Sequence, residues 1–228
     1  MTNATPEQAV DKTEDHSPEE TLSVAKGSDK RVEFRLSPAT SLWEGLNPPY
    51  STILADPPWI YDEGFATASR TDGFPAFPIH SYQLPYSGMA PGNIASLPVG
   101  KLAEARGTRL FLWATNRYLP VAFWVMKAWG FQYVQTLVWS KLDCPPMSGS
   151  VAPNSAEFLL VGVIGKPARL GKGTSAVIAH SQAKVHSTKP QAFADLIEAV
   201  SPGPYVELFA RQPRLGWDSW GLGYEGVA

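Results

Sequence analysis

Short apolar runs alternate with segments of helical spacing along most of this 228-residue chain, and this alternation limits the possible folds more than any other feature. The runs are rich in aromatic and β-branched residues, which favours strands. Strands are predicted at residues 50–55, 110–114, 131–139, 157–164 and 205–209. Helices are predicted at residues 120–129 and from Pro190 to the Pro- and Gly-rich residues 201–204. The pattern predicts an α/β fold, with a largely parallel sheet of about seven strands and helices on both faces.

The first 30 residues differ from the rest in composition and in charge. They contain no aromatic residue, and seven acidic against three basic residues leave them at −4. Such a segment cannot bury enough apolar surface to offset the entropy lost on ordering. The sequence therefore predicts a disordered acidic tail at 1–30 and a folded domain at 31–228. That domain has 16 basic and 14 acidic residues, a balance of +2, far from the basic footprint of a strong nucleic-acid binder.

Composition also argues against several classes of protein. The longest apolar stretch, residues 158–164, is far shorter than the roughly 18–20 residues of a membrane span, and no apolar segment follows the N-terminus. Cys144 is the single cysteine, which excludes an internal disulfide and a Cys-rich zinc site. The four histidines lack the spacing of metal ligands. We expect a soluble, cytoplasmic protein without a bound metal.

Two glycine-rich segments imitate nucleotide-binding motifs. Residues 221–226 match G-x-G-x-x-G, but only two residues follow them, so no helix can begin there. Residues 171–174 resemble the end of a phosphate loop, but Lys166 stands where that loop needs a glycine. Neither segment is assigned a phosphate-binding role.

The tetrapeptide Asp56-Pro57-Pro58-Trp59 follows the first strand of the predicted domain, at the strand end where α/β sheets gather their ligands. The two prolines fix the backbone, so the Pro57 carbonyl can be held beside the Asp56 carboxylate, and Trp59 offers a flat face. Two acceptors and a stacking surface suit a planar group that bears an NH₂, such as the exocyclic amine of adenine. The alternative is a strand closed by a proline turn, with Trp59 in the core.

A second group of residues stands in a recognisable order in the C-terminal half. Lys189-Pro190 opens a helix, and residues 206–211 (VELFAR) form the next strand and its end. This resembles the cofactor end of amino-methyltransferases. Because the Asp-Pro-Pro-Trp tetrapeptide lies upstream, the order is permuted, and the chain resembles the MT-A70 family of S-adenosylmethionine-dependent N6-adenine methyltransferases. The resemblance also includes residues 97–98, 110–115, 129–131, 137–141, Glu157 and 216–220.

The resemblance implies a Rossmann-like methyltransferase fold, S-adenosylmethionine as cofactor and nucleic acid as substrate. It implies that Asp56 and the Pro57 carbonyl hold the target N6 amine, that Pro58 shapes the turn and that Trp59 flanks the base. On the cofactor side, it implies that Asp56 also contacts the methionine ammonium and that Lys189 lies near the carboxylate. The residues expected to line the adenosine and ribose are Glu207, Phe209 and Arg211.

The sequence departs from the family pattern after Trp220. The family usually continues with Gly-Asn-Glu, whose amide helps to bind the ribose, whereas this chain continues Gly-Leu-Gly-Tyr-Glu. Either Tyr224 and Glu225 take over this contact, or ribose binding is weaker here.

Residues 60–90 are rich in Gly, Pro, Ser and Tyr and lack regular periodicity, and loops of this length are usually functional. We expect a lid that contacts the substrate strand, with aromatic side chains able to stack on bases. Local packing of the loop would explain each of its residues equally well. The candidates for substrate contact are Tyr61, Phe65, Arg70, Phe74, His80, Tyr82 and Tyr86 of this loop, and Glu157.

The polymer and the role of the chain stay open. DNA is expected because the chain is compact and carries no zinc knuckle or RRM, but contacts to the RNA 2′-hydroxyl leave no readable motif. A catalytically silent scaffold subunit is a second alternative, which the changed residues after Trp220 favour and the intact tetrapeptide opposes. Methylation of cytosine N4 would favour Ser at position 56. If nucleic acid is the substrate, the near-neutral charge predicts binding that is local, weak or aided by a homo- or hetero-oligomeric partner that supplies basic surface.

Overall fold

The computed structural model describes residues 42–59, 88–142, 151–173, 175–181 and 189–221, together with the backbone of two short strands. These two strands, β1 (Thr21–Val24) and β2 (Val32–Arg35), pair with each other in an antiparallel ladder. β1 therefore lies inside the segment for which the sequence predicts a disordered tail. Residues 1–20 and 25–31 lie outside the described residues, and disorder there stays a prediction.

Seven further strands form one mixed sheet. They are β3 (Thr52–Ala55), β4 (Gly107–Thr115), β5 (Gln132–Leu142), β6 (Ala156–Gly165), β7 (Val177–Ser181), β8 (Tyr205–Leu208) and β9 (Trp217–Trp220). Their order across the sheet is β7-β5-β6-β4-β3-β8-β9. Only β6 runs against its neighbours, β4 and β5, while the other four pairs of strands are parallel. The carboxyl ends of β5, β4, β3 and β8 and the beginning of β6 therefore meet at one edge of the sheet.

Helices cover both faces of this sheet: α1 (Pro91–Ser96), α2 (Leu119–Ala128) and α3 (Gln191–Val200). Successive strand residues point to opposite faces. Ile53 thus packs in one core cluster with Val121 of α2, while Leu54 packs in the other with Phe193 and Ile197 of α3. In the described part of the chain, no helix has the length and apolar character needed to cross a membrane.

The predicted fold class is confirmed, and the five strands and two helices predicted from the sequence are present within a few residues of their expected bounds. Besides β1 and β2, three elements of the domain were missed. β7 is exposed along most of its length, β9 contains Asp218 and Ser219, and α1 is six residues long. None of them has the apolar run or long amphipathic stripe by which an element is detected in a sequence.

A buried polar contact fixes the beginning of β3 to the turn between α3 and β8. The Thr52 hydroxyl lies 2.6 Å from Ser201 Oγ and donates to the carbonyl oxygen of Pro202 at 2.6 Å. Arg109 also donates to Ser201 Oγ, at 2.8 Å. Thr52 and Ser201 are fully buried, so the partners of a lost hydroxyl could not turn to water instead.

Thr52→Val keeps the shape of the side chain but leaves these buried partners without the Thr52 hydroxyl. We expect the free energy of unfolding to fall by about 1–3 kcal/mol, the cost of an unsatisfied buried polar group. Urea denaturation measures the change. Thr136→Val, which removes the hydroxyl that contacts Tyr133 at the protein surface, is the matched control and should cost less than about 0.5 kcal/mol. Equal losses in the two variants would contradict the role assigned to Thr52.

Candidate active site

Asp56 lies at the carboxyl edge of the sheet, directly after β3. Its backbone N–H donates to the carbonyl oxygen of Leu208 at 3.3 Å, which extends the β3–β8 ladder by one residue. The carboxylate is thereby held at the end of a central parallel strand, the position at which α/β sheets bind ligands. Its side chain is 17% exposed, so it is partly desolvated and still reachable.

Lys189 joins Asp56 to a second carboxylate. Its ammonium nitrogen lies 2.7 Å from Asp56 Oδ2, 3.6 Å from Glu157 Oε2 and 5.2 Å from the centre of the Trp113 ring. Burial lowers the pKa of Lys189, but the two carboxylates outweigh burial and leave this pKa above its ordinary value. Lys189 is therefore charged at neutral pH and bridges β3 and β6 just before α3 begins.

Glu157 reaches this edge because β6 is antiparallel, so that its second residue lies beside Thr115 at the end of β4. Glu157 Oε1 also lies 2.6 Å from the ammonium of Lys141, which stands 4.9 Å above the Trp139 ring. Burial raises the pKa of Glu157, but Lys189 and Lys141 together leave it below its ordinary value. The carboxylate is therefore ionised between two cations.

Glu207 supplies a third carboxylate, from β8. Arg214 Nε lies 3.3 Å from Glu207 Oε2, and Arg211 Nη2 lies 3.9 Å from Asp56 Oδ2. Burial raises the pKa of Glu207 above its ordinary value, Asp56 adds to the rise, and Arg214 and Lys189 oppose it. The edge of the sheet thus carries an alternating series of cations and carboxylates.

The proline turn after Asp56 buries Trp59. The Trp59 backbone N–H donates to the Pro57 carbonyl at 2.9 Å, and the Pro58 carbonyl accepts the N–H of Met89 at 2.6 Å. The Trp59 ring is 4% exposed and stacks on Tyr118 at 5.3 Å. Trp59 is thus part of the core in this structure, and its contact with a base stays a prediction. The Pro57 oxygen keeps a second lone pair for a ligand.

Phe209 adopts a left-handed backbone conformation, with φ of 61°, directly after β8. Such a conformation costs a non-glycine residue about 1–3 kcal/mol and is often found at functional sites. The Phe209 ring is 5% exposed and packs edge-to-face on Trp220 at 5.5 Å, so it lies in the core rather than on an open surface. The kink that it makes leads the chain back toward Asp56, where Arg211 lies.

Gly221 packs closely against the backbone of Ala210 at the end of β9. The Ala210 N–H donates to the Trp220 carbonyl at 3.0 Å, and a Cβ at position 221 would lie 2.5 Å from backbone atoms of Ala210. A side chain at position 221 would therefore push the end of β9 away from the site.

Several predicted residues lie outside the described residues. They are Tyr61, Phe65, Arg70, Phe74, His80, Tyr82 and Tyr86 of the expected lid, and Tyr224 and Glu225. Their roles stay predictions. The structure does bring together Asp56, Glu157, Lys189, Glu207 and Arg211, which were predicted from distant parts of the sequence.

The residues at this edge lie within a segment that matches a known protein family. The sequence model of the MT-A70 family, described as MT-A70, matches residues 50–223, which contain every described residue of the site. The chain belongs to the MT-A70 family. Membership confirms the predicted enzyme class, N6-adenine methyltransferase, and the predicted cofactor, S-adenosylmethionine.

Individual MT-A70 relatives differ in how much of their own length is matched. The type II methyltransferase M.MunI of Mycoplasma sp. is 31% identical over 182 residues, which cover 76% of this chain and 77% of M.MunI. An N(6)-adenosine-methyltransferase MT-A70-like protein of Drosophila melanogaster is 27% identical over 78% of this chain. The human N(6)-adenosine-methyltransferase catalytic subunit METTL3 is 25% identical over the same share. The chain spans 27% and 29% of the length of these two proteins.

The residues at the edge fit S-adenosylmethionine by their chemistry. The methionine part of this cofactor carries an ammonium and a carboxylate, and its ribose carries two hydroxyls. Asp56 can accept from the ammonium, Lys189 and Arg211 can hold the carboxylate, and Glu207 can accept from ribose hydroxyls. A site with one sign of charge would not match such a ligand.

Sequence reasoning gave no role to Lys141, Gln191 or Arg214. Lys141 follows the predicted strand at residues 131–139 by two residues, a position that indicates the carboxyl edge of the sheet, so this signal was present in the sequence. Gln191 and Arg214 meet only through the tertiary fold, where Arg214 donates to Gln191 Oε1 at 2.8 Å. Among the described residues, no group of three potential metal ligands lies together.

Lys189→Met should destabilise the fold, because the carboxylates of Asp56 and Glu157 then lie near each other without the ammonium between them. We expect the free energy of unfolding at neutral pH to fall by about 2–4 kcal/mol, since the ion pair is largely buried. Lys172→Met, at an exposed position, should change it by less than about 0.5 kcal/mol. Urea denaturation measures both.

The loss of unfolding free energy in Lys189→Met should depend on pH. Because the pKa of Glu157 is lower in the folded chain than in the unfolded chain, its ionised form stabilises the fold above its unfolded pKa. This contribution is lost as the pH falls through the lowered pKa. The difference between wild type and Lys189→Met should therefore shrink below about pH 4. A difference that stays constant down to about pH 3 would argue against the ion pairs as its source.

Proposed function

We propose that this chain transfers a methyl group from S-adenosylmethionine to the N6 amine of adenine in DNA. The observation that carries the proposal is the Asp56 carboxylate, fixed at the end of β3 and flanked by Lys189 and Arg211. An acceptor at this position would hold the target amine beside groups that suit the cofactor.

The N6 amine is a poor nucleophile because its lone pair is delocalised into the adenine ring. Bound S-adenosylmethionine would supply an electrophilic methyl group on a sulfonium sulfur. As the N6 nitrogen bonds to the methyl carbon, the carbon–sulfur bond would break, S-adenosylhomocysteine would leave, and the amine would release one proton. The Asp56 carboxylate and the Pro57 carbonyl accept hydrogen bonds from the amine and orient its lone pair. As positive charge develops on the nitrogen, the fixed negative charge of Asp56 stabilises it without reorganisation of solvent.

A base inside a duplex cannot reach a carboxylate at the edge of a sheet. The target adenine must therefore be unpaired or turned out of the stack. The segment expected to contact the strand, residues 60–90, follows directly on the tetrapeptide along the chain. A segment that begins directly after the tetrapeptide along the chain is well suited to surround a flipped base.

Similarity to M.MunI favours DNA over RNA. It extends over about three quarters of both chains, whereas similarity to the N(6)-adenosine methyltransferases is confined to less than a third of those proteins. We therefore take the type II methyltransferase as the guide to the substrate. RNA is the second candidate, which the names of the other relatives favour.

The charge balance supports a partner. The +2 balance of residues 31–228 provides little attraction for a polyanion, and human METTL3 is named as a catalytic subunit. We propose that a second chain, identical or different, adds basic surface to the substrate path.

Purified protein with methyl-labelled S-adenosylmethionine and matched single-stranded DNA, duplex DNA and RNA tests the reaction directly. Nucleoside analysis should find N6-methyldeoxyadenosine in DNA. Label only in N6-methyladenosine from RNA would assign the second candidate, and label in cytosine or in neither polymer would refute the proposal.

Cofactor binding should depend on the cations beside Asp56. Lys189→Ala and Arg211→Ala each remove a positive charge that suits the methionine carboxylate, and we expect each to weaken S-adenosylmethionine binding by roughly tenfold or more. Isothermal calorimetry measures the affinity, and circular dichroism checks the fold of each variant. Unchanged affinity in both variants would exclude the pocket assigned here.

Asp56→Asn separates catalysis from turn formation. Asparagine forms the same kinds of turn as aspartate but lacks its charge. If the carboxylate holds the N6 amine, Asp56→Asn and Asp56→Ala should both lose methyl transfer by at least ~10²-fold, comparable with the loss of one preorganised polar group. Single-turnover transfer to DNA measures this loss. Glu44→Gln, the same carboxylate-to-amide change at an exposed position before β3, is the matched control. Full activity in a folded Asp56→Asn would leave Asp56 as a turn residue only.

A further inference from the structure

Arg214 joins three elements behind the carboxylate of Glu207. It lies between β8 and β9, and its guanidinium contacts Glu207 Oε2 at 3.3 Å and Gln191 Oε1 of α3 at 2.8 Å. Its guanidinium carbon also lies 5.6 Å from the centre of the Trp217 ring. An arginine with contacts to two acceptors and a ring face is held in one orientation by its planar fork of donors.

Gln191 is itself fixed in place. Its amide nitrogen donates to Asp195 Oδ1 at 2.9 Å, one turn along α3, so that its oxygen faces Arg214. Gln191 of α3 thus fixes the position of the Arg214 guanidinium, and the guanidinium in turn holds Glu207 of β8. Neither contact involves Asp56 or Lys189.

Glu207 depends on this arrangement for its charge. Its side chain is 17% exposed, and burial together with the nearby Asp56 carboxylate favours the protonated form. Arg214 is the largest opposing influence, and Lys189 is the other charged group that favours ionised Glu207. Removal of Arg214 would therefore raise the pKa of Glu207 further.

We propose that Arg214, held by Gln191, is a positioning residue for the cofactor site, which holds the Glu207 carboxylate in place as the acceptor of the cofactor's ribose hydroxyls. A carboxylate is a suitable partner for a ribose diol, because it accepts two hydrogen bonds at once and donates none. This role has added weight in a chain that reads Gly-Leu-Gly after Trp220 in place of the usual Gly-Asn-Glu. The inference rests on the proposed function only in placing the cofactor ribose beside Glu207.

The test is calorimetric binding of S-adenosylhomocysteine to the full chain, without nucleic acid, from about pH 5.5 to about pH 8.5. Wild type should keep its affinity over most of this range. Arg214→Met should bind roughly tenfold more weakly near the acidic end and recover as the pH rises and Glu207 ionises. Arg214→Lys restores the charge and should return the pH profile toward that of wild type.

Two further variants identify the group that titrates. Glu207→Gln cannot ionise, so it should bind weakly at every pH in this range and lose the pH dependence. Arg169→Met, at an exposed position in the loop after β6, should behave as wild type. In addition, the Glu207 carboxyl carbon, followed by NMR in ligand-free protein, should titrate at a higher pH in Arg214→Met than in wild type.

Three results would overturn the inference: an Arg214→Met variant with the affinity and pH profile of wild type, a loss of affinity that is equal at every pH, or a Glu207→Gln variant with full affinity. These three results do not decide whether the proposed function is correct. A protein that binds S-adenosylhomocysteine as described but methylates no DNA would refute the proposed substrate and leave the role of Arg214 standing. Wild type that fails to bind S-adenosylhomocysteine would refute both.

Discussion

The ammonium of Lys189 makes this arrangement of strand ends possible. Three carboxylates, from Asp56, Glu157 and Glu207, lie at one partly desolvated edge of a sheet, where like charges repel strongly. Lys189 stands between two of them, and Arg214 offsets the third. Because each carboxylate belongs to a different strand, the cations also hold the strand ends together. The site and the sheet edge are therefore stabilised by the same contacts.

Much of the fold could be predicted from the sequence because the main elements are locally distinct. Buried strands such as β4 contain a continuous apolar run, here Leu110–Ala114, and α3 presents Phe193 and Ile197 on one stripe. The position of Asp56 followed from the same logic, since a polar residue after an apolar strand of an α/β sheet lies at its ligand-binding edge. The roles of Lys189, Glu207 and Arg211 came from a resemblance to a family, and the structure places all three side chains within reach of this edge or of Asp56.

The features of the fold and the site that could not be predicted depend on tertiary contacts, which leave no pattern in the local sequence. Nothing in the apolar run of β6 indicates its direction, so the bridge from Glu157 to Lys141 and Lys189 could not be derived from it. Trp59 and Phe209 were expected to line ligand surfaces, yet both rings pack in the core, because an aromatic side chain next to a functional residue looks the same in sequence whichever way it turns. Contact between Arg214 and Gln191 arises only when β8 and α3 are assembled.

The reversed direction of β6 has a consequence for the divergence of such enzymes. The connection that enters β6 arrives at the edge that carries Asp56, whereas the connection into a parallel strand such as β3 arrives at the opposite edge. Insertions before β6 can therefore lengthen the rim of the site while every strand keeps its register, since surface connections tolerate changes in length. The length of the rim can thus change while Asp56, at the end of β3, keeps its place in the sheet.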